Sequence, residues 1–260
     1  MRGERSESDP DCDVETTVPS SGPGGPPRRS VSRRRLLAAA GSATALAGCL
    51  GLGGGDGCGA GEITVEGPDA TACVAPVESD RPVAEFYGFG RDQTHSASTP
   101  DELAVDNATV TFVHREAGTG THSLVVINGN ARTTSDGGGR AVVTVRNAAG
   151  AAWQVQDGPP SGIPDTDRYE TPDGEIGDSE TVLWGWNDDR TDGGAVGPLG
   201  ADYDVEVVHR AEGSVNGQTE TRSGLDRWLF VDGADPESPV ELATFDDTGD
   251  VTVGVSGSDE

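Results

Sequence analysis

Residues 109–128 read TVTFVHREAGTGTHSLVVIN, and this stretch decides the fold. Thr109–His114 and Ser123–Asn128 are short packets of β-branched and aromatic residues, and a turn rich in glycine and threonine separates them. Within the first packet, Val110, Phe112 and His114 alternate with their neighbours and therefore share one face of an extended chain. Packets with a period of two residues, bounded by turn residues, predict two β-strands.

The same pattern continues along the chain. Apart from the N-terminal segment, no stretch shows a helical period of any length. Nine further packets have the composition of strands: Glu62–Glu66, Val83–Phe89, Arg140–Arg146, Ala152–Gln156, Thr181–Trp186, Tyr203–His209, Arg227–Val231, Val240–Phe245 and Asp250–Val255. Many short strands in one domain predict an all-β fold, a single antiparallel β-sandwich of immunoglobulin-like type over residues 83–256. Residues 157–180 contain no packet and predict a long loop.

The composition indicates the salt concentration at which this sandwich is expected to fold. The chain of 260 residues carries 45 acidic side chains against 18 basic ones, for a net charge of −27, and every basic residue is Arg. Charge of this size with few large aliphatic residues is typical of disorder, but the clustered Val residues argue against that interpretation. In molar salt the Debye length falls to about 3 Å, so the self-repulsion is screened. The absence of Lys and the excess of acid resemble proteins of extremely halophilic archaea. A field this negative excludes nucleic acid as a direct partner.

The N-terminus is predicted to be an export signal. Residues 1–31 are polar and rich in Pro and Gly, which indicates a disordered leader. Arg33 and Arg34 precede an apolar run of only 12 residues, Leu36–Ala47, which is too short to span a bilayer. The segment 32–48 therefore has the form of a signal peptide, and its arginine pair resembles the twin-arginine motif.

The signal peptide ends in LAGC at residues 46–49, which resembles a lipobox. This resemblance implies cleavage before Cys49 and attachment of a lipid to its thiol; the alternative is a chance cysteine beside an ordinary cleavage site. The protein is then exported and anchored to the outer face of the cell membrane. Residues 49–82 are predicted to form a Gly-rich tether and an extended segment.

Two further cysteines and one sequon suit an exported chain. Cys58 and Cys73 remain as an even pair in an oxidising compartment and predict a disulfide, the alternative being two free thiols. Asn107 begins the glycosylation sequon Asn-Ala-Thr at the entrance to a predicted strand.

A second resemblance concerns the domain itself. The run VTFVHREAGTGTHSLVVINGN from Val110, a later Trp-bearing strand and YDVEVVHRAEG from Tyr203 are similar to the β-sandwich head of haloarchaeal type IV pilins. The resemblance covers Thr109 to Gly213 and implies a pilin-head-like sandwich. Pilins carry a prepilin peptidase site and a long apolar helix, whereas this chain has a twin-arginine leader and a cysteine. The departure argues against assembly into a filament.

Histidines could form a metal site. His114 and His209 become neighbours if their strands pair, and His122 begins the strand after His114. A metal site with three His ligands is therefore geometrically possible. The alternative is that these side chains face solvent or hydrogen-bond locally.

Acidic residues offer a second candidate metal site. Asp188 and Asp192 fall at two positions of a calcium loop, but Arg190 takes a ligand position, which excludes an EF-hand. A looser oxygen cage combining Asp192 with Asp188 or Asp189 and with Asp165 or Asp167 stays open, as does a tight turn in an acidic surface.

An aromatic strip is a candidate ligand site. Trp184 and Trp186 are two residues apart, hence on one face of a strand, and Tyr169 lies in the long loop before them. Exposed aromatic side chains beside Asp-rich loops hold sugars or peptides in many surface proteins. The alternative is that these side chains form the core.

Catalytic sequence motifs of the common hydrolases and nucleotide-binding enzymes are missing. The sequence therefore predicts a non-enzymatic, monomeric, lipid-anchored surface domain that binds a ligand, an envelope protein or a glycan, and no cofactor is predicted. The alternative is an extracellular metal-dependent enzyme or a calcium-binding module built from the histidines and the Asp165–Asp192 region.

Overall fold

The computed structural model describes residues 58–88, 103, 105–129, 138–156, 167–171, 174–186, 191–246 and 249–258. The leader, the arginine pair Arg33 and Arg34 and the lipobox residue Cys49 lie outside these ranges, as do Asp165 and Asp188. No helix in the described part of the chain has the length and apolar character needed to cross a membrane.

The described residues are nearly all strand. One short helix, α1, spans Val83–Tyr87. The strands are β1 Ile63–Glu66, β2 Thr71–Val74, β3 Val77–Ser79, β4 Ala108–Glu116, β5 His122–Gly129, β6 Gly139–Arg146, β7 Ala152–Gln156, β8 Arg168–Tyr169, β9 Ser179–Trp186, β10 Thr191–Gly197, β11 Asp202–Arg210, β12 Glu212–Val215, β13 Gln218–Thr221, β14 Arg227–Asp232, β15 Asp235–Thr244 and β16 Val251–Ser258. The predicted all-β sandwich is confirmed.

Two sheets form the sandwich. Sheet 1 has the strand order β2-β1-β16-β11-β6-β9-β8, and all its pairings are antiparallel. Sheet 2 has the order β15-β14-β4-β5-β10-β7, with β3 beside β4. Here the expectation of a purely antiparallel sandwich is wrong, because β14 and β3 both run parallel to β4.

Alternation along the strands fills the space between the sheets. Val143 and Val145 of β6, and Val205 and Val207 of β11, face sheet 2 and are buried. Each strand therefore turns one row of side chains to the core, as its period of two residues predicts.

A hairpin covers part of the outer face of sheet 1. It joins β12 to β13 through Asn216 and Gly217, which have φ values of 52° and 83° as a type I′ turn requires. Val215 of this hairpin packs on Val142 and Leu183.

The packet Val83–Phe89 is the clearest error of the sequence prediction, because it contains α1 and not a strand. Val83, Phe86 and Tyr87 are buried, at the spacing of one helical face, and pack on the outer face of sheet 2. Gly88 ends the helix in the left-handed conformation, with φ 74°.

The predicted start of the domain at residue 83 is also wrong. β1 and β2 lie in sheet 1 beside β16, and β3 pairs with β4, so the sandwich begins about twenty residues earlier. A disulfide joins Cys58 to Cys73 of β2, with 5.4 Å between the Cα atoms. It fastens the entering chain to the first hairpin of sheet 1.

β10 is a buried strand inside the region predicted to be an acidic loop. It reads TDGGAVG from Thr191 and lies between β5 and β7. A Cβ atom at Gly193 would collide with the carbonyl oxygen of Val126, and one at Gly194 would lie 2.8 Å from the carbonyl oxygen of Val155. The glycines therefore permit a close approach of three strands, which a search for β-branched residues does not detect.

The strand directions define two ends of the sandwich. At the chain-entry end, β1 and β5 begin and β4 finishes. At the far end, β4 and β10 begin and β5 and β9 finish.

Candidate functional site

The three candidate histidines do not converge, so the three-His site is not formed. His209 points between the sheets, with Nε2 3.1 Å from Oγ1 of Thr109 near the far end. His122 pairs with Arg115, six residues along β4 from Thr109 and therefore about 20 Å away. His114 lies on the opposite face of β4, where its ring centroid is 4.8 Å from that of Phe86 in α1.

The physical reason is strand alternation. His122 faces the core, where its ring packs edge-on against Tyr203 at a centroid distance of 5.7 Å. His114 sits directly opposite Ser123, the next residue along β5. Adjacent residues of one strand point to opposite faces, so His114 and His122 are separated by the sheet itself.

Burial keeps two of these imidazoles neutral. Loss of solvation is the main cause that lowers the pKa of His114 to about 4. The same cause lowers the pKa of His209 to about 3, and the nearby Arg222 charge adds to it. Both rings pack against aromatic residues in the core and are not exposed as proton donors or acceptors for a substrate.

The aromatic strip is part of the core, so the predicted exposed ligand site is not formed. Trp184, Trp186 and Tyr169 are all buried. The indole N–H of Trp184 donates to the hydroxyl of Tyr169 at 3.0 Å, and Trp153 packs edge-on against both rings. The alternative interpretation of these residues as core is the one that the structure shows.

The Asp-rich region does bring two carboxyl groups together. In β10, Asp192 is only 2 % exposed. Its Oδ2 accepts the backbone N–H of Gly185 at 2.8 Å, and its Oδ1 accepts that of Gly193 at 2.7 Å. Oδ1 of Asp167 lies 3.3 Å from the same Gly185 nitrogen, and the two carboxyl groups also hydrogen-bond to each other. We call this arrangement the carboxyl pair.

Burial and hydrogen bonds have opposite effects on the pKa of Asp167 in the carboxyl pair. Burial raises the pKa of Asp167, and the hydrogen bonds from Asp192 and from the Gly185 amide oppose that rise. A hydrogen bond between two carboxyl groups requires a proton on one of them, because two carboxylates can only accept.

A buried polar row leads to the carboxyl pair across sheet 2. The hydroxyl of Thr109 donates to Oδ1 of Asn128 at 2.8 Å, and it accepts a hydrogen bond from Nε2 of His209. Asn128 lies between Thr109 on β4 and Asp192 on β10 in the register of the sheet. No sequence motif marks Thr109 or Asn128, and their only signal is a polar residue at an inward-facing strand position.

A groove of about 890 Å³ opens at the chain-entry end. We call it the entry groove; it lies among the chain before β1, β3, the β4–β5 turn and the β14–β15 turn. Its lining includes Ala60, Glu62, Pro76, Glu78, Arg115 and Ala234. Nothing in the sequence packets indicated this groove, because turns build it.

Short contacts hold the turns around the entry groove. The carboxylate of Asp232 accepts the N–H groups of Ala75 at 3.0 Å and Ala234 at 2.9 Å. On the wall, Arg115 and Glu78 form an ion pair at 2.5 Å. The groove thus carries both signs of charge beside small apolar side chains.

The sequon has little room for modification after folding. The backbone carbonyl of Asn107 accepts the N–H of Asp226 at 2.7 Å, and φ of Asn107 is 54°. The sequon hydroxyl, on Thr109, is fully buried in the polar row. Glycosylation of Asn107 stays a prediction.

A cluster of three His, Cys, Asp or Glu ligand atoms occurs among the described residues only at Cys58, Glu62 and Cys73. The two sulfur atoms are bonded to each other, which removes them as thiolate ligands.

Comparisons of the chain with protein-family models, with curated proteins and with solved structures find no significant match. The resemblances to haloarchaeal lipoproteins and pilin heads therefore stay predictions.

Proposed function

We propose that this chain is an exported, lipid-anchored surface protein of a halophile, and that it binds a ligand or an envelope partner without catalysing a reaction. The observation that carries the proposal is the entry groove, whose volume of about 890 Å³ lies in the range of ligand sites.

The position of the groove supports a role close to the membrane. Ala60 and Glu62 line it and directly follow Cys58, which the disulfide to Cys73 fastens to sheet 1. Only eight residues separate Cys58 from Cys49, the proposed site of the lipid. A partner in the groove would thus be held near the outer face of the membrane.

The lining of the groove favours a ligand of mixed polarity. Arg115 and Glu78 expose 40 % and 58 % of their side chains and can exchange their surface ion pair for contacts with a ligand at little cost. Small residues such as Ala60 and Ala234 leave space beside these charges. An envelope protein segment or a glycan fits this chemistry better than a purely apolar molecule.

The sheet edges support a monomer. β15 is the long edge of sheet 2, and its exposed part carries Pro236 and Glu237. Proline and charge on an edge strand oppose pairing with a second copy. At the edges of sheet 1, β2 has four residues and β8 has two.

The proposal is tested by capture from intact cells in molar salt with three forms of the protein. Ala234→Trp fills the entry groove from an exposed position, and Thr252→Trp places the same side chain on the exposed outer face of sheet 1 as a control. We expect the wild type and Thr252→Trp to enrich the same protein or glycan, and Ala234→Trp to lose it. Equal enrichment by all three forms, or none by the wild type, would contradict the proposal.

A further inference from the structure

Strand β3 has an open backbone edge beside the entry groove. It pairs with β4 on one side, with Glu78 in register with Arg115. The N–H of Ala117 donates to the carbonyl of Ser79 at 2.9 Å, and this bond fixes the phase of the parallel ladder. In a parallel pair every second residue of a strand bonds to the neighbouring strand, so Val77 and Ser79 bond to β4. The N–H and C=O groups of Glu78 therefore point away from β4.

The neighbouring elements leave these two backbone groups of Glu78 unused. Neither group hydrogen-bonds to a described residue, and the Glu78 side chain is 58 % exposed. The turn between β14 and β15 covers the edge of β3 only as far as Pro76. There the N–H of Gly233 donates to the carbonyl of Ala75 at 2.9 Å, and a Cβ atom at Gly233 would collide with the carbonyl oxygen of Pro76. Glu78 is the next residue that points outward, and it lines the entry groove.

The lining of the entry groove favours a peptide over a glycan. None of its described lining residues is Trp, Tyr or Phe, so they offer no aromatic face on which a sugar ring could stack. An extended peptide can instead use one of its own residues to bond both backbone groups of Glu78, as in strand addition at a sheet edge. The charged Asp, Glu and Arg side chains of the lining are Glu62, Glu78 and Arg115. One basic side chain in the ligand balances these charges.

We propose that an extended segment of an envelope protein, carrying a basic side chain, adds to β3 as a further strand in the entry groove. The inference rests on the proposed binding function and narrows its occupant to a peptide. One ligand residue accepts the N–H of Glu78 and donates to its C=O, while the basic side chain reaches the carboxylates of Glu62 and Glu78. β3 has three residues and follows Pro76, which has no N–H, so the edge is too short to favour pairing with a second copy.

The test compares two replacements of Glu78 in the full-length protein. Glu78→Pro removes the outward N–H and leaves the bonds between β3 and β4 in place, because proline is tolerated where an edge strand turns its N–H away from the sheet. Glu78→Ala removes the same side chain but keeps the N–H, and it is the matched control. The probe is a display library of random twelve-residue peptides, selected on the wild type in molar KCl. We expect the selected peptides to carry a basic residue and to bind Glu78→Pro about tenfold more weakly than Glu78→Ala.

Hydrogen exchange of the backbone amides gives a second measurement, which does not depend on the folding of Glu78→Pro. In the free wild type the amide of Glu78 should exchange fast, whereas the amide of Ser79, which is bonded to β4, should exchange slowly. A selected peptide should slow exchange at Glu78. Slow exchange at Glu78 in the free protein would overturn the proposal, because the edge is then occupied by the chain itself or by a second copy.

Two further results would overturn strand addition. One is equal binding of the selected peptides by Glu78→Pro and Glu78→Ala. The other is a wild type that selects no peptide. If Ala234→Trp still loses the partner captured from cells, the proposed function stands and only the peptide is wrong. If Ala234→Trp captures that partner as well as the wild type does, the proposed function itself fails.

Discussion

Arg222 is a buried cation that fastens the far end of the sandwich, and its replacement by Met gives the sharpest prediction for stability. Its guanidinium donates to the backbone carbonyls of His209, Asp246 and Gly249, the last at 3.1 Å. It also stacks on the ring of Phe245 at 4.3 Å. A single side chain thus connects the end of β11 with the segment between β15 and β16.

The cost of Arg222→Met follows from these contacts. The His209 carbonyl belongs to a fully buried residue and would be left without this donor, at about 1–3 kcal/mol. The carbonyls of Asp246 and Gly249 are nearer the surface and regain water, so each costs about 1 kcal/mol. Loss of the stacking on Phe245 adds about 1 kcal/mol. We expect the free energy of unfolding to fall by about 4–6 kcal/mol.

Urea unfolding in molar KCl, followed by circular dichroism, measures this loss. Arg115→Met is the matched control, because its ion pair with Glu78 is exposed and contributes about 0–1 kcal/mol. A second measurement is the pKa of His209 by NMR. It should rise in Arg222→Met because a repelling charge is gone, yet stay below 6.5 because burial persists. If Arg222→Met costs no more than Arg115→Met, the proposed role of Arg222 is wrong.

Four further predictions follow from the fold. Replacing Cys58 and Cys73 by Ala should lower the free energy of unfolding in urea by about 3 kcal/mol, because the bond closes a loop of 15 residues. Gly193→Ala should lower the melting temperature strongly, whereas Gly118→Ala, at an open position with no contact within 4 Å, should change it little. The pKa of His209 is lower in the folded chain than in the unfolded chain, so the unfolded chain binds more protons. The free energy of unfolding should therefore fall as the pH drops from 6.5 toward 3. In a His209→Gln variant that folds, the urea concentration at the unfolding midpoint should depend less on pH over this range. Lowering the salt to tens of millimolar should abolish the β signal in circular dichroism, and a cooperative fold that survives there would contradict adaptation to molar salt.

Strand content was the part of the fold that the sequence could predict. Packets such as Ala152–Gln156, which matches β7 residue for residue, show alternation that depends only on local sequence. The errors in predicted secondary structure arise where packing against the rest of the domain determines the conformation of a segment. Val83–Phe89 has strand-forming residues, but the outer face of sheet 2 needs a cover, and three apolar residues at helical spacing provide it. β10 consists largely of glycine and alanine, because its neighbours leave no room for larger side chains.

The candidate sites were harder to predict, because a period of two residues does not reveal which face is the core. The alternation correctly grouped His114 with Phe112, but the face that they share lies under α1 and not between the sheets. Asp192 was singled out for its position in a calcium-like loop, yet it lies in a strand. The register of sheet 2 brings Asn128 beside it, and Asp167 comes from the chain before β8 of sheet 1, so the local sequence reveals neither neighbour.

The acidic residues at the surface and the carboxyl pair differ in how far solvent and salt reach them. Five ion pairs between described residues are at the surface, with side-chain exposures of 23–58 %, and molar salt strongly screens such pairs. Surface acid can therefore hydrate the protein while the buried Val-rich layers hold the fold together. Asp192 does not share this environment, because at 2 % exposure it is not in contact with the diffuse ion atmosphere. Its carboxylate is held instead by the backbone N–H groups of Gly185 and Gly193, and buried contacts of this kind are screened far less by molar salt than the surface ion pairs are.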